Sequence, residues 1–175
     1  VEGWVEVVTA RAAAPHLPCI GMTAAEIREL LDTYKEMGVR HIVALRGDIP
    51  SGMGAGTSGL RYANELVELI KNEYGSHFHI EIAAYPEYHP QARSAEDDLN
   101  HFVRKAKAGA DSAITQYFYN ADAYFRFLDD VRGRGVDIPI IPGIMPIASF
   151  AKLARFSDTC GAEIPRWLRL KLQSY

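Results

Sequence analysis

His41-Ile-Val-Ala-Leu-Arg-Gly-Asp-Ile-Pro50 is the stretch of this 175-residue sequence that best indicates its fold. The apolar run Ile42–Leu45 is short, partly β-branched, and ends abruptly at an Arg-Gly-Asp cluster. This pattern predicts a buried parallel strand that places charged side chains at its C-terminal end. Because ligands of parallel α/β folds bind at that end, Arg46 and Asp48 are the first candidates for chemistry. The alternative is an Arg–Asp ion pair that only fixes the loop.

Composition and charge indicate a globular cytoplasmic protein. The chain is 48% apolar and 23% charged with a net charge of −3, which gives no electrostatic reason to expect nucleic acid. Cys19 and Cys160 fit neither a disulfide framework nor a zinc spacing, so a reducing compartment is expected. No apolar run approaches the ~18 residues that span a bilayer, and acids at Glu2 and Glu6 disfavour a signal peptide. The initial Val1 suggests a trimmed or partial chain.

Five units, each a strand followed by a helix, are predicted along the chain. The predicted strands are His16–Ile20, His41–Leu45, Phe78–Ala84, Ser112–Phe118 and Ile138–Ile141. The predicted helices begin at the Thr23-Ala-Ala-Glu26 capping box, in the run after Leu60, at Ser94, at Asn120 and near Ala148. Glycines 38, 75, 109 and 135 end the first four helices. Residues 1–12 match this pattern least and are assigned one short strand.

Two architectures fit five parallel strand–helix units. A doubly wound sheet is complete with five strands, whereas a (β/α)8 TIM barrel needs about 250 residues and is incomplete here. Polar side chains lie at or just past the C-terminal ends of successive strands: Arg46 and Asp48, then Tyr85 and His89, then Gln116 and Tyr119. This placement favours the barrel, because its strands direct their C-terminal ends to a common mouth.

Two other kinds of site are weakly indicated. The glycines between Gly52 and Gly59 lie too far from the strand end for a dinucleotide fingerprint, and no Gly-Lys-Ser/Thr follows for a P-loop. That loop is a lid, a phosphate-adjacent loop or a plain solvent loop. His16, Glu87 and His89 are residue types that bind metals, but the first strand has no His-x-His and no second acid is placed to bridge two ions. The sequence therefore favours histidines that hydrogen-bond a ligand or the backbone over a metal site.

Five motifs occur in order along the strand ends. They are Pro15-His-Leu17, Arg40–Asp48, Ala83–Pro90, Gly109–Phe118 and Ile141–Ile147. Together they resemble the methylenetetrahydrofolate reductase family, and the similarity extends from Ala13 to Tyr175. The resemblance implies that residues 1–175 form one partial catalytic-barrel domain of about five to six βα units, with residues 1–12 unmatched.

The resemblance also implies an activity. It implies a cytoplasmic FAD enzyme of one-carbon metabolism and methionine biosynthesis that forms a homo-oligomer and binds neither nucleic acid nor membrane. The reaction is the reduction of 5,10-methylenetetrahydrofolate to 5-methyltetrahydrofolate by NADH or NADPH, in two half-reactions through the flavin. The family's first-strand glutamate, its general acid, has no counterpart here. The alternative is therefore an inactive fragment or a flavin- or folate-binding module.

Site residues follow from the same resemblance. It implies that twelve residues lie around FAD: His16, Arg46, Gly47, Asp48, Tyr62, Ala63, Tyr85, His89, Ala92, Asp98, Arg104 and Lys105. It gives Asp48 a catalytic role near the flavin and the folate, and it adds Gln116 and Phe156 as substrate-binding residues. In this interpretation the cations of Arg104 and Lys105 suit the pyrophosphate, and Asp98 accepts hydrogen bonds from ribose or ribityl hydroxyls. Phe156 supplies a stacking face, with core packing as the alternative.

Overall fold

The computed structural model describes residues 14–47 and 59–174. They form a five-stranded parallel sheet that alternates with helices. The strands are β1 His16–Pro18, β2 His41–Leu45, β3 His79–Ala84, β4 Ser112–Thr115 and β5 Ile140–Ile141. The helices are α1 Ala24–Glu36, α2 Ala63–Tyr74, α3 Ala95–Lys107, α4 Ala121–Gly133, α5 Phe150–Cys160 and α6 Arg166–Gln173.

The strands lie in chain order, β1-β2-β3-β4-β5. His16 pairs with Val43, His41 with His79, and Ala113 with Ile140. A doubly wound sheet reverses its strand order at a switch point, whereas successive strands of a barrel wall do not. The prediction of an incomplete barrel-like α/β fold is confirmed, and the doubly wound alternative is wrong.

Local sequence signals explain where several elements begin. The Thr23 capping box of α1 is present, since Glu26 N–H donates to Thr23 Oγ1 at 3.2 Å and Thr23 N–H donates to Glu26 Oε2 at 2.7 Å. Asn120 caps α4 by accepting from Asp122 N–H at 3.1 Å. The β2 prediction is confirmed at both ends.

Other boundaries differ from the predicted ones. β5 begins at Ile140 instead of Ile138, because Pro139 between them has no N–H to donate to a ladder. β1 ends at Pro18 and β4 at Thr115, two and three residues before the predicted ends. Helix α6 was not predicted. The strand predicted within residues 1–12 lies outside the described residues.

The chain divides into two compact units. Of the described residues, the first unit contains those up to Ile82 together with Lys105–Ser112, and the second contains Ala83–Arg104 and residues 113–174. The core of the first unit includes the fully buried side chains of Ile42, Ile70 and Ile80. In the second unit a buried cluster contains Tyr117, Leu153, Ala162, Ile164 and Leu168. Among the described helices, none is long and apolar enough to cross a membrane.

Candidate functional site

The first unit carries three of the expected cofactor residues on β1 and just after β2. His16 is exposed at the start of β1, and Arg46 and Gly47 follow β2 directly. Gly47 has φ +80°, and a Cβ there would lie 2.8 Å from Pro18 Cβ and 2.9 Å from Ile20 Cγ2. Only glycine fits this position, so the chain turns sharply where the strand ends. Asp48, the expected catalytic residue, lies outside the described residues.

Two more of the expected cofactor residues are at the start of α2. Tyr62 is exposed and is the N-cap residue, while Ala63 is buried. Glu65 holds this helix end by accepting from Arg61 N–H at 2.6 Å and from Tyr62 N–H at 3.3 Å. The Arg46 guanidinium carbon lies 6.0 Å from the centre of the Tyr62 ring, at the outer limit of a cation–π contact.

Cys19 is a structural residue of the first unit. Its thiol is fully buried and donates to Arg46 O at 3.7 Å. Burial raises the pKa of the Cys19 thiol to about 11, so the thiol stays protonated at neutral pH. The side chain therefore packs against the strand end instead of acting as a nucleophile.

In the second unit, the β3–α3 loop carries Tyr85, His89 and Ala92. Asp98 Oδ2 accepts from His89 N–H at 3.0 Å, and His89 O accepts from Ala92 N–H at 2.8 Å. The Tyr85 and His89 rings meet edge to face at 4.6 Å. His89 Nδ1 accepts from Gln91 N–H at 3.1 Å, so a neutral ring carries its proton on Nε2. The loop is thus held by its own residues and by Asp98.

Asp98 has a structural partner that the sequence did not reveal. Ser94 Oγ accepts a hydrogen bond from Asp97 N–H at 3.1 Å, which confirms the prediction that α3 begins at Ser94. Asp98 was predicted to accept hydrogen bonds from ribose or ribityl hydroxyls, and one of its oxygens also holds the His89 amide. Further along α3, Arg104 is exposed and Lys105 is half-buried.

A cavity of about 440 Å3 lies within the second unit. Its wall includes the loop residues Tyr85, Glu87 and Tyr88, the start of α3 with Asp98, and Glu163. Glu87 Oε2 accepts from Glu163 N–H at 2.9 Å, whereas its Oε1 is buried and has no hydrogen-bond partner. Burial raises the pKa of the Glu87 carboxyl group. Within residues 14–47 and 59–174, no three His, Cys, Asp or Glu side chains are grouped to hold a metal ion.

Five residues of the second unit form what we call the Tyr117 cluster: Gln116, Tyr117, Phe156, Ser157 and Cys160. Gln116 Oε1 accepts from Tyr117 N–H at 3.0 Å. The Tyr117 hydroxyl lies 2.8 Å from Ser157 Oγ, and Cys160 Sγ donates to the same hydroxyl at 3.3 Å. The Phe156 ring stacks on the Tyr117 ring with centres 5.9 Å apart and planes 17° apart.

Phe156 is the exposed member of this cluster. Its side chain is 48% exposed although it is a large aromatic residue in the middle of α5. The ring thus packs partly on the buried Tyr117 and remains partly open to solvent, so a stacking role and core packing both stay predictions. The sequence had pointed to Gln116 and Phe156, but it did not reveal that Tyr117 and Ser157 connect them. The spacing of Leu153, Ser157 and Cys160 on one helix face was the available signal.

Comparisons with known proteins identify relatives over most of the chain. Residues 5–175 match the family model described as Methylenetetrahydrofolate reductase. The 5,10-methylenetetrahydrofolate reductase of Escherichia coli (strain K12) is 46% identical over 160 residues, which are 91% of this chain and 52% of that protein. The Zea mays protein named Methylenetetrahydrofolate reductase (NADH) 1 is 38% identical over 162 residues, 86% of this chain and 27% of that protein. This chain thus spans about half the length of the bacterial relative.

A solved structure supports the fold. It is titled "Uncharacterized protein from Clostridium thermocellum binds two copies of 5-methyl-5,6,7,8-tetrahydrofolic acid". The TM-score is 0.52 at 19% identity, with 92% of this chain and 74% of that chain covered. Together, the family match and the curated relatives confirm the resemblance inferred from the five motifs.

Proposed function

This chain belongs to the methylenetetrahydrofolate reductase family, and we propose that it supplies part of the catalytic barrel of an enzyme that reduces 5,10-methylenetetrahydrofolate to 5-methyltetrahydrofolate. The electron donor is NADH or NADPH, and the name of the maize relative supports a nicotinamide donor. FAD, when bound, carries electrons from the nicotinamide to the folate, so two half-reactions share one site. The proposal places the enzyme in the cytoplasm, where its product serves methionine biosynthesis.

The exposed face of the Tyr117 cluster is the observation that carries this proposal. A pteridine is a flat heterocycle with hydrogen-bond donors and acceptors along its edge. The Phe156 ring offers it a flat apolar face that the buried Tyr117 ring supports from behind. Gln116 offers an amide, which pairs with a donor–acceptor edge better than a charged group does. Stacking and amide pairing together select a planar ring of this chemical class.

The fixed β3–α3 loop supports binding of FAD. We expect Tyr85, His89, Ala92 and Asp98 to hold the cofactor, because the loop is already ordered by the bond between Asp98 and His89 N–H. Asp98 keeps a second oxygen that can accept from a cofactor hydroxyl. The cavity of about 440 Å3 bordered by Tyr85 and Asp98 is in the size range of small-molecule sites.

Cations and further contacts are assigned to the cofactor through the family relationship. Arg104 and Lys105 are matched to the pyrophosphate because ammonium and guanidinium groups neutralise phosphate charge. In the first unit the proposed cofactor contacts are His16, Arg46, Gly47, Tyr62 and Ala63. Asp48 is proposed to act near the reacting rings, where a carboxylate stabilises positive charge that develops on the folate.

We also propose that the protein self-associates. Ile114 and Ile141 are paired neighbours on β4 and β5, and both are exposed, as is Ile144, which is 85% exposed. Adjacent exposed isoleucines are typical of a surface that packs against more protein. Light scattering tests this expectation. We expect a homo-oligomer that Ile141→Asp weakens, and a monodisperse wild-type monomer would contradict it.

The activity is tested by placing this chain in the E. coli relative, in exchange for the segment of that relative that it matches. We expect oxidation of NADH or NADPH that depends on 5,10-methylenetetrahydrofolate. Phe156→Ala should raise the KM for the folate about tenfold, the scale of one lost aromatic contact. Phe125→Ala, which removes another exposed helix phenylalanine of the second unit, is the matched control and should change it less than twofold.

Three results would distinguish a folate reductase from a flavin-binding module and test the role of Phe156. Folate-dependent turnover with the expected loss in Phe156→Ala supports the proposal. Oxidation of NADH or NADPH with a quinone acceptor, but without reduction of the folate, would instead indicate a flavin-binding module. Equal effects of Phe156→Ala and Phe125→Ala would show that the exposed ring does not bind the substrate.

A further inference from the structure

The hydroxyl groups of Tyr117 and Ser157 form a buried polar pair inside the second unit. Tyr117 follows β4 and is 4% exposed, and Ser157 lies within α5 and is 2% exposed. Their oxygen atoms are 2.8 Å apart. A buried hydroxyl without a partner is costly, so each residue constrains the position of the other. The pair therefore fixes the end of β4 against α5.

The two residues adjacent to this pair are the ones assigned to the folate. Gln116 precedes Tyr117, and its side-chain oxygen accepts from the Tyr117 backbone N–H at 3.0 Å. Phe156 precedes Ser157, and its ring stacks on the Tyr117 ring. Tyr117 thus touches both proposed substrate groups, one through its backbone and the other through its ring. Its hydroxyl holds the helix that carries the second of them.

The hydrogen bonds also have a direction. Cys160 Sγ donates to the Tyr117 oxygen at 3.3 Å, so the Tyr117 hydroxyl is free to donate its own proton to Ser157 Oγ. Burial and the neighbouring thiol raise the pKa of the Tyr117 phenol. The phenol therefore stays protonated at neutral pH and can act as the donor to Ser157 Oγ.

We propose that Tyr117 and Ser157 are positioning residues that set the distance and angle between the Gln116 amide and the Phe156 ring. The inference rests on the proposed function, because it takes these two groups as the binding surface for the pteridine. Tyr117 and Ser157 do not themselves need to touch the substrate. Their effect is to hold a stacking face and an amide edge in one arrangement before the ligand arrives, which lowers the entropy lost on binding.

The test measures the affinity of the full chain for 5-methyltetrahydrofolate by isothermal titration calorimetry. Tyr117→Phe keeps the stacked ring and removes only the hydroxyl, and Ser157→Ala removes its partner. Each should weaken binding about fivefold, the scale of one net hydrogen bond. The double variant should bind the folate at most about twofold more weakly than either single variant, because all three variants break the same hydrogen bond. Tyr124→Phe is the control, since its hydroxyl donates to Ile140 O at 2.8 Å elsewhere in the second unit.

A second readout reports the link without any ligand. The chain is prepared with 4-fluorophenylalanine at position 156, and its fluorine resonance is recorded by NMR. Tyr117→Phe should shift or broaden this resonance because the ring loses its fixed position, whereas Tyr124→Phe should leave it unchanged. A role limited to overall stability would make Tyr117→Phe and Tyr124→Phe behave alike.

The outcomes are distinct. Weaker folate binding in Tyr117→Phe and Ser157→Ala, with a changed fluorine resonance, supports the inference. Folate binding at wild-type strength in both variants overturns it, and so does a fluorine resonance that Tyr117→Phe leaves unchanged. If the wild-type chain binds no folate but the resonance still responds to Tyr117→Phe, the positioning link stands and the proposed function fails.

Discussion

Gly143→Ala and Gly133→Ala make the same chemical change at two glycines of the second unit, and the structure predicts opposite effects on the free energy of unfolding. Gly143 lies between β5 and α5, where its N–H donates to Thr115 Oγ1 at 2.9 Å. A Cβ at position 143 would lie 2.1 Å from the backbone oxygen of Thr115. Gly133 is the last residue of α4, and a Cβ there would meet nothing within 4 Å.

The expected cost of Gly143→Ala follows from these distances. The new Cβ would be more than about 1 Å inside van der Waals contact with a main-chain atom, which cannot rotate away. Overpacking of this kind costs about 1–3 kcal/mol, and the displaced bond to Thr115 adds about 1 kcal/mol. We therefore expect the free energy of unfolding to fall by about 2–4 kcal/mol. Gly133→Ala should raise it by about 0.5 kcal/mol, because alanine favours the helix.

Urea unfolding followed by far-UV circular dichroism measures both variants. The two variants can be compared if the slope of the unfolding free energy against urea concentration is unchanged. A shift of the urea midpoint then reports a change in stability alone. Because Thr115 directly precedes Gln116, folate affinity should also fall in Gly143→Ala. A Gly143→Ala protein within about 0.5 kcal/mol of the wild type would refute the packing argument. The same conclusion would follow if both substitutions were equally destabilising.

Three further predictions concern carboxylates. Burial alone would raise the pKa of Asp111, but hydrogen bonds from a β3 backbone N–H and from Lys71 lower it. The Asp111 carboxylate therefore stabilises the folded state fully above the unfolded pKa of about 3.9, and this stabilisation is lost as pH falls through the folded pKa. Asp111→Asn should therefore cost about 1 kcal/mol in urea unfolding at pH near 7 and less at pH near 3, and an equal cost at both would contradict this. Asp98→Ala removes the acceptor of His89 N–H and should weaken FAD binding about tenfold by flavin fluorescence titration, whereas unchanged binding would show that the loop needs no anchor. Asp48→Asn should slow reduction of the folate more than oxidation of NADH or NADPH in stopped-flow measurements, and equal losses would exclude a role specific to the folate.

The parts of the fold that sequence predicted are those set by neighbouring residues. The Thr23 capping box, the Asn120 cap and the apolar run of β2 each act within a few positions of the chain, so their patterns are visible without tertiary structure. Helix α6 was missed because its apolar residues include Leu168, Leu170 and Leu172 at alternate positions, a spacing that does not indicate a helix. It also begins after Pro165 without a side-chain cap.

The candidate site was predicted less completely. Gln116 and Phe156 were found by resemblance, but the bond between Tyr117 and Ser157 joins residues 40 positions apart and has no local pattern. The resemblance assigned Asp98 to ribose or ribityl hydroxyls. One of its oxygens also accepts from an amide in the preceding loop, nine residues away, which only the folded loop brings within reach.

A crystal structure of this protein with 5-methyltetrahydrofolate tests the central claim most directly. We predict that the pteridine stacks on the exposed face of Phe156 and that the Gln116 amide hydrogen-bonds its edge. The Tyr117 and Ser157 hydroxyls should remain bonded to each other without touching the ligand. A pteridine bound elsewhere, or a Phe156 ring covered by other parts of the protein, would contradict the account.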